Sequence, residues 1–343
     1  MAHHIVGLDI GTYSVKALRI RSGLRDYDIE GFDEEVIEAG DDEATPIDVD
    51  EDNPEGEIEA VPRQFSSAVV EAIERLHKRG ALDGDIVMVG FSLGQAMQTR
   101  VQLPFNDRKR IAEILPMQIE EAFPVDLDEL VTDFVVAPTT GPDENSHSTL
   151  VVGAQKWRLQ RFLNELSRIG IDPRVVEVKP AALLTASHMI HPELIGTTAV
   201  LEIGHDSSQL CVSLDGSIQL LREIPVGGKD VTEGLEEAFK LDRSRAEAGK
   251  HGEAYVDLQP VATPASDDRA KVQVICQGFA GDLANELRRT FHGHLARGGQ
   301  PVERLLICGA GALLRGTAEY LSAALGIPAS LLRVEAVQTT LPG

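Results

Sequence analysis

A short pattern of strand, glycine turn and strand occurs twice in this chain. Leu8-Asp-Ile-Gly-Thr-Tyr-Ser14 and Leu201-Glu-Ile-Gly-His-Asp-Ser207 align at a constant offset of 193 residues, and the order of the flanking strands repeats with them. A repeat of this kind predicts two related lobes built on one structural unit. A length of 343 residues also agrees with about two domains.

Hydrophobic spacing alternates between a period of two and a period near 3.6 along the chain, which indicates an α/β fold. We expect a first lobe over residues 1–180, with an inserted subdomain at about 83–155, and a second lobe over residues 181–343. In the inserted part, a helix is predicted from Asp107 to Phe123. Pro116 should kink or restart it, because proline lacks an N–H and clashes with the preceding turn.

Negative charge is concentrated in one stretch. The formal net charge is −23, and residues 33–59 hold fourteen acidic residues and no Lys or Arg. This stretch, which contains Pro46 and Pro54, has too little apolar surface to offset ordering entropy and is predicted to be a disordered loop. The overall charge argues against nucleic acid or an anionic bilayer as a direct partner and favours a basic protein or peptide.

Cysteine usage and hydropathy indicate a cytosolic protein. Cys211, Cys276 and Cys308 form no C-x-x-C pair, so neither a disulfide framework nor a zinc site is expected. The apolar runs fall short of the roughly 20 residues that a membrane span needs. No signal peptide is recognised, and we expect a soluble chain, either complete or the cytosolic part of a longer protein.

The first hairpin has residue types suited to binding a phosphate group. Its glycine lets backbone amides approach a ligand, its hydroxyls and its lysine can bind oxygen atoms, and its aspartate can hold a hydrated divalent cation. Because a strand follows the turn, this is not a Walker P-loop, which leads into a helix. A plain hairpin with a glycine turn is the alternative. The candidate residues are Asp9, Gly11, Thr12, Tyr13, Ser14 and Lys16.

Two further glycine turns could complete such a site. The second hairpin would hold phosphates from the other lobe. In the stretch Leu305 to Leu314, a buried strand breaks into Gly-Ala-Gly, and small residues there would let an adenine or ribose lie against the backbone. A tight strand-to-helix turn is the alternative for this stretch. The candidates are Gly204, His205 and Ser207 in the hairpin, and Gly309, Ala310 and Gly311 in the later turn.

With three such elements in this order, the chain resembles the superfamily of actin, the 70-kDa heat-shock chaperones and the sugar kinases. The resemblance covers nearly the whole chain. It implies an actin-like, ribonuclease H-like fold, duplicated into two lobes around an ATP or ADP molecule. It also implies a Mg²⁺ ion held through water by Asp9 and Glu202.

Within that superfamily, the chain is most similar to the branch that contains the division protein FtsA, the pilus protein PilM and the cytoplasmic domain of the secretion protein GspL. Ile224-Pro-Val-Gly-Gly-Lys-Asp-Val-Thr232 and Arg245-Ala-Glu-Ala-Gly-Lys250 match a segment of this branch. By that match, Gly228, Glu247 and Lys250 would face the nucleoside. Leu103-Pro-Phe-Asn-Asp-Arg-Lys109 and Asp128-Glu-Leu-Val-Thr-Asp-Phe134 resemble the inserted subdomain of PilM and GspL.

Two positions depart from the superfamily pattern. Lys179 precedes the proline of the connecting helix, where an acid or glutamine usually positions the attacking water, and a charged lysine cannot accept that water's proton. Glu202 stands where aspartate is usual, and its extra methylene displaces the carboxylate. Efficient hydrolysis is therefore not expected. No catalytic residue is assigned, and nucleotide binding without turnover or an empty pocket both fit the residues.

The resemblance implies a scaffold at the cytoplasmic face of the bacterial inner membrane. Our first expectation is a GspL-like component of a type II secretion platform that recruits the assembly ATPase. The alternatives are a PilM-like pilus assembly protein, which binds ATP and a partner peptide, and an FtsA-like filament-forming ATPase. A homodimer is possible in each case. A sugar-kinase role would need a catalytic acid such as Asp107, which is better explained as the start of a helix.

Overall fold

The computed structural model describes residues 3–23, 27–37, 65–137, 147–258 and 266–333. The strands are β1 (His3–Ile10), β2 (Ser14–Ser22), β3 (Tyr27–Val36), β4 (Ile86–Phe91), β5 (Ala96–Leu103), β6 (Leu130–Val136), β7 (His147–Gln155), β8 (Val175–Val178), β9 (Thr197–Ile203), β10 (Ser208–Leu214), β11 (Ser217–Ile224), β12 (Arg304–Cys308) and β13 (Ala329–Leu331). The helices are α1 (Ser67–Lys78), α2 (Arg108–Ile119), α3 (Lys156–Arg168), α4 (Lys179–Ile190), α5 (Gly228–Phe239), α6 (Arg243–Gly252), α7 (Asp267–Ala296) and α8 (Thr317–Leu325).

Two five-stranded sheets repeat one topology. Their strand orders are β3-β2-β1-β4-β8 and β11-β10-β9-β12-β13. In each sheet an antiparallel three-stranded meander is followed by a strand that pairs in parallel with the first strand, β4 with β1 and β12 with β9. This repetition confirms the duplicated α/β arrangement predicted from the offset of 193 residues.

The first compact unit contains residues up to Gly90 together with Lys156–Glu177. One face of its sheet is covered by α1, and Val6, Val15 and Ala17 are fully buried there. The helix begins at an N-cap serine, Ser66, whose hydroxyl accepts a hydrogen bond from an amide in the first turn. Burial of these alternating strand residues is what the period-two pattern predicts.

The second unit contains residues 91–155 and the described chain from Val178 onward. Its central strand β9 is buried on both faces. On one face, Leu201 and Ile203 pack in a cluster with residues of α5 and α7. On the other, Cys211 of β10 and Leu184 of α4 belong to a second cluster. Because both faces are covered, β9 has an almost continuous apolar sequence rather than an alternating one.

The inserted subdomain is a three-stranded sheet, β5-β7-β6, covered by α2. Ile111, Leu115 and Ile119 of α2 are buried on one stripe, as the helical spacing predicts. The helix starts at Asp107, whose carboxylate accepts a hydrogen bond from the Arg110 amide at 2.8 Å, which confirms the helix-start interpretation of this aspartate. The subdomain groups with the second compact unit. The lobe boundary at residue 180 stays a prediction.

The acidic stretch over residues 33–59 starts with ordered residues, so the predicted loop boundary is wrong at this end. Asp33–Val36 belong to β3 and pair with β2. Glu35 is held by Arg79 at 2.7 Å and by Arg75 at 3.1 Å, and Lys16 lies 3.7 Å from the next acid along the strand, Glu34. These basic partners, distant in sequence, offset the acidic composition. Residues 38–59 lie outside the described residues.

Two further helix boundaries differ from the prediction. α2 is one continuous helix through Pro116, so the proline does not restart it. The helix predicted from Asp107 to Phe123 ends at Ile119. After β12 the chain forms a 3₁₀ turn at Ala310–Leu313 before α8 begins. Among the described residues, no helix combines the length and apolarity needed to cross a membrane.

Pro116 gives a test of the helix energetics. It is exposed inside α2, where it supplies no amide for the carbonyl four residues earlier. We expect Pro116→Ala to raise the free energy of unfolding by about 1–3 kcal/mol, since the gain in the helix exceeds the added entropy of the unfolded chain. Urea unfolding followed by circular dichroism measures this. Met117→Ala, at a neighbouring side chain that is 78% exposed, is the control and should change little. A loss of stability in Pro116→Ala would contradict the argument.

Candidate functional site

The two predicted hairpin turns have the same backbone geometry. In the first unit the Gly11 amide donates to the Ser14 carbonyl at 3.1 Å, and in the second unit the Gly204 amide donates to the Ser207 carbonyl at 3.1 Å. A Cβ atom on Gly11 would lie 2.8 Å from the accepting oxygen, and one on Gly204 would lie 2.6 Å from it. Each turn therefore requires glycine at its first position.

In the second unit, a glycine pair lies against the hairpin turn. Gly227 and Gly228 connect β11 to α5, and the Gly228 amide donates to the Gly204 carbonyl at 2.9 Å. The Lys229 amide donates to the His205 carbonyl at the same distance. A Cβ atom on Gly227 would lie 2.1 Å from that His205 carbonyl oxygen, so the chains can approach only without a side chain there.

The turn after β12 closes on the same place. Gly309 has a φ of 86°, and a Cβ atom on it would lie 2.6 Å from the Ile203 carbonyl oxygen. A Cβ atom on Gly311 would lie 2.4 Å from Cγ2 of Ile203. Ala310 lies between the two glycines at the start of the 3₁₀ turn. The predicted elements of the second unit are thus brought together at the end of β9.

Beside these turns is a buried charged network made by α5 and α6. Lys250 Nζ lies 2.8 Å from Oε2 of Glu247, and it donates to Thr232 Oγ1 at 2.9 Å and to the Gly228 carbonyl at 3.2 Å. The Thr232 hydroxyl lies 2.6 Å from the Glu247 carboxylate. Glu247 and Lys250 are 8% and 7% exposed. Their i, i+3 spacing places both on the buried face of α6.

The network also sets the ionisation of its acid. Burial alone would raise the pKa of the Glu247 carboxyl, but hydrogen bonds from Lys250 and Thr232, together with the charge of Lys250, hold that pKa below its ordinary value. Glu247 is therefore ionised at neutral pH. This pairing explains how two charges are tolerated inside the unit.

A basic side chain of α6 contacts the second hairpin turn. Arg243 Nη2 lies 2.6 Å from His205 Nε2, and the His205 ring is largely buried. Burial lowers the pKa of His205; Arg243 and Lys250 lower it further, against the opposite effects of Asp206 and Glu247. A neutral His205 can accept from the guanidinium, which holds Arg243 next to the turn.

A cleft opens beside the glycine turns and the charged network. It is shallow and partly open to solvent. Glycine backbone and the Lys250 ammonium supply polar groups, whereas valine, phenylalanine and leucine supply apolar walls. This combination suits a flat, heteroatom-rich ring such as a nucleoside. The lining residues are Gly228, Val231, Lys250, His251, Phe279, Ala310, Gly311 and Leu314.

The hairpin serines have partners that the sequence did not reveal. Ser14 is buried and donates to Glu34 at 2.6 Å, and Ser207 donates to Glu223 at 2.8 Å. Each glutamate lies on the third strand of its own meander. In this state neither hydroxyl hydrogen is available to a phosphate, whereas sequence reasoning offered Ser14 as a hydroxyl donor. The Gly11 and Gly204 amides are engaged within the turns themselves, so the later amides of each turn and Lys16 are the candidate donors.

The metal assignment stays a prediction. Asp9 is the second-to-last residue of β1. Glu202 occupies the equivalent position on β9, is half-buried, and pairs with Cys308 of β12. Burial raises the pKa of the Cys308 thiol to about 12, and Glu202 adds to this effect. Within the described ranges, no group of three or more His, Cys, Asp or Glu side chains could hold a metal ion.

Sequence reasoning missed several residues of the site. Thr232 was visible only as part of a motif, and its role as the centre of the buried network depends on the packing of α5 against α6. Phe279 is on α7, 51 residues after Gly228 and 30 residues before Gly309, and no local pattern connects it with the cleft. Gly227 could have been found, because adjacent glycines before a helix indicate a close backbone approach.

The buried pair gives a second test. Lys250→Met leaves the Glu247 carboxylate buried without its cation, and we expect a loss of about 3–5 kcal/mol in the free energy of unfolding. Removing both charges in Glu247→Gln/Lys250→Met should cost less than Lys250→Met alone. The exposed pair of Lys229 with Glu233, at 3.4 Å, supplies the control, because Lys229→Met should cost about 1 kcal/mol or less. Additive effects of the two buried substitutions, measured by urea unfolding, would contradict the network.

A family model described as type IV pilus assembly protein PilM matches residues 7–338 of this chain. Cell division protein FtsA of Bacillus subtilis (strain 168) is 28% identical over 149 residues, which are 43% of this chain. The match spans 32% of the length of that curated relative.

Solved structures show the same architecture. The PilM-PilN type IV pilus biogenesis complex matches with a TM-score of 0.71 and 22% identity, over 95% of this chain and 87% of that chain. MreB 5 of Spiroplasma citri bound to AMPPNP matches with a TM-score of 0.51 and 14% identity, over 96% and 91%. These matches confirm the actin-like two-lobe α/β fold. The cytoplasmic domain of EpsL from Vibrio cholerae, an inner membrane component of the type II secretion system, is 12% identical. The match covers 67% of this chain and 74% of that chain, and its TM-score of 0.39 is too low to indicate a shared fold.

Proposed function

Since this chain belongs to the type IV pilus assembly protein PilM family, we propose that it is a scaffold of pilus assembly that binds an adenine nucleotide with little turnover. It would act at the cytoplasmic face of the bacterial inner membrane. The observation that carries the nucleotide part is the glycine-lined cleft of the second unit, where Gly228 and Gly311 lie beside Lys250.

The residues fit a nucleoside in that cleft. Gly228 leaves room where a side chain would stand, Gly311 lets its turn pack closely against Ile203, and Phe279 offers an apolar wall. Lys250 and Glu247 are already held in place by their network, so ligand binding would not have to order them. The amides of His205 and Ser207 in the hairpin turn are the proposed phosphate donors, since the Gly204 amide is bonded to the Ser207 carbonyl. ATP or ADP with Mg²⁺ is the proposed ligand, and a relative in complex with AMPPNP supports this choice.

We propose that the first hairpin also binds phosphate, with the Thr12 and Tyr13 amides as donors and Lys16 shared between Glu34 and the phosphate. The Gly11 amide is bonded to the Ser14 carbonyl, so Gly11 would serve by letting the backbone approach a ligand closely. Asp9, and Glu202 at the equivalent position, would hold Mg²⁺ through water. Low turnover is proposed because Lys179 replaces the residue that positions water in related enzymes.

Nucleotide binding is tested at Gly228. A Cβ atom there would lie 3.4 Å from Lys250 Nζ and 3.9 Å from the Cα atom of Gly311. By calorimetry with Mg-ATP we expect Gly228→Ala to weaken binding and Gly228→Val to abolish it, as added bulk fills the cleft. Gly252→Ala is the matched control, since no atom lies within 4 Å of its added Cβ. Equal affinity in all variants would place the ligand elsewhere. Phosphate release faster than about 1 s⁻¹ would refute the scaffold proposal.

The partner is proposed from the relative that matches over nearly the whole chain, the PilM of a PilM-PilN complex. We propose a PilN-like inner-membrane protein as the direct partner of this chain, with the assembly ATPase and other platform proteins in the same machine. A second candidate is a GspL-like scaffold of a type II secretion platform that recruits the secretion ATPase. The segment 103–134 resembles the inserted subdomain of GspL as well as that of PilM, so it supports both candidates, and it contributes to a subdomain with its own core.

Copurification separates these candidates. The full chain is coexpressed with a tagged PilN from its own organism and, separately, with a tagged secretion ATPase. We expect stable copurification with PilN, at a ratio near one to one, and none with the ATPase. Capture of the ATPase alone would favour the secretion scaffold. An FtsA-like filament is tested in the same samples, because ATP-dependent sedimentation of the chain alone would support it. Size-exclusion chromatography with light scattering tests the proposed homodimer.

A further inference from the structure

The proposed nucleotide carries two or three phosphate groups, and their charge must be met by groups near the second hairpin turn. This turn adjoins the cleft, because Gly228 lines the cleft and its amide donates to the Gly204 carbonyl of the turn at 2.9 Å. Two carboxylates already lie at the turn, that of Glu223, which holds Ser207 at 2.8 Å, and that of the exposed Asp206. A phosphate bound there therefore needs a cation close by.

Two lysines near the turn are already engaged by the protein itself. The ammonium of Lys250 has three N–H donors, and its three hydrogen bonds go to acceptors of the buried network at 2.9, 2.9 and 3.2 Å. The amide of Lys229 reaches the turn, but its ammonium pairs with Glu233 at 3.4 Å. In this arrangement Lys250 has no donor left for a phosphate, and the charge of Lys229 is offset by an acid of its own helix.

The first amides of α5 are engaged as well. Helix N-termini often bind anions, because their first amides have no partner within the helix. Here the Gly227 amide donates to the Asp230 carboxylate at 3.0 Å, and the amides of Gly228 and Lys229 donate to carbonyls of the hairpin turn at 2.9 Å. The start of α5 therefore supports the turn and does not supply donors for a phosphate.

Arg243 differs from these groups. It is the first residue of α6, it is exposed, and its Nη2 lies 2.6 Å from Nε2 of His205 in the hairpin turn. It makes no ion pair with any described residue, whereas Arg245 on the same helix pairs with Asp242 at 3.4 Å. A guanidinium has five N–H donors, so one bond to the imidazole leaves most of them for a ligand.

The imidazole of His205 holds this guanidinium beside the turn. The ring is largely buried, and the backbone of His205 is fixed by the Lys229 amide, which donates to its carbonyl at 2.9 Å. A long side chain at a surface ordinarily loses conformational entropy when a ligand immobilises it. Because Arg243 is already in contact with the ring, part of that loss has occurred before a phosphate arrives.

We propose that Arg243 is the charged phosphate ligand of the second unit and makes its site select nucleotides over nucleosides. A guanidinium presents planar pairs of N–H donors that bind two phosphate oxygens at once. Its charge would offset the repulsion from Asp206 and Glu223. The inference rests on the proposed nucleotide function and adds to it the residue that distinguishes a phosphorylated ligand from adenosine.

The test compares Mg-ATP with adenosine by calorimetric titration of the full chain. Arg243→Gln should weaken the binding of Mg-ATP by roughly 10- to 100-fold, because it removes charge-assisted hydrogen bonds to phosphate. The same variant should leave the affinity for adenosine unchanged, since adenosine has no phosphate. Arg243→Lys keeps the charge without the planar donor pair and should give an intermediate affinity for Mg-ATP. Circular dichroism checks that each variant is folded.

Arg245→Gln is the matched control, because it removes the same charge two residues along the helix from a side chain that pairs with Asp242. It should change neither affinity. The inference is overturned if Arg243→Gln binds Mg-ATP as tightly as the wild-type chain, if it loses both ligands equally, or if Arg245→Gln shows the same loss. In each of these cases the nucleotide site itself stands. Binding of neither ligand by the wild-type chain would instead refute the proposed nucleotide function, and this inference with it.

Discussion

Close contact between backbones at the end of β9 is the constraint on which the second unit depends. The carbonyl groups of Ile203, Gly204 and His205 are approached by the turn after β12 and by the glycine pair before α5. No side chain larger than hydrogen fits at Gly227, Gly309 or Gly311. These contacts fix where α5 begins and how the 3₁₀ turn leaves β12, so the cleft between them is a consequence of chain packing rather than of flexible side chains.

Both units hold the hairpin turn with the same kind of backbone hydrogen bond, which is made by different segments of the chain. In both, the segment that leaves the third strand of the meander returns to the hairpin turn, since the Ile37 amide donates to the Tyr13 carbonyl at 2.8 Å and the Lys229 amide donates to the His205 carbonyl at 2.9 Å. In the second unit this segment is a glycine pair that opens a helix. In the first unit it is the end of an acidic strand. The shared hydrogen bond preserves the turn, whereas the surrounding surface has diverged.

Local features of the sequence predicted the fold well because each strand and turn depends mainly on residues that are close together in the chain. Alternating residues indicated the meanders, and the repeat of Leu8–Ser14 at Leu201–Ser207 indicated two sheets of one topology. Contacts between distant segments were not predictable in this way. The acceptors of Ser14 and Ser207 are on strands 16 to 20 residues away, and the pairing of Glu35 with Arg79 depends on how α1 crosses the sheet. A composition argument therefore placed Asp33–Val36 in a loop.

Charge beside the two hairpin turns bears on how tightly either can bind phosphate. Glu34 and Glu223 each hold the hydroxyl of a turn serine, which places a carboxylate close to the backbone amides that would meet an anion. A carboxylate and a phosphate at such range repel each other, and the repulsion is stronger where the site is partly buried. The turns thus keep the backbone geometry of a phosphate-binding loop, while the nearby carboxylates reduce their attraction for phosphate. The geometry is required for folding, because each turn joins the first two strands of a five-stranded sheet, whereas the scaffold role proposed above requires neither tight binding nor rapid release of a nucleotide.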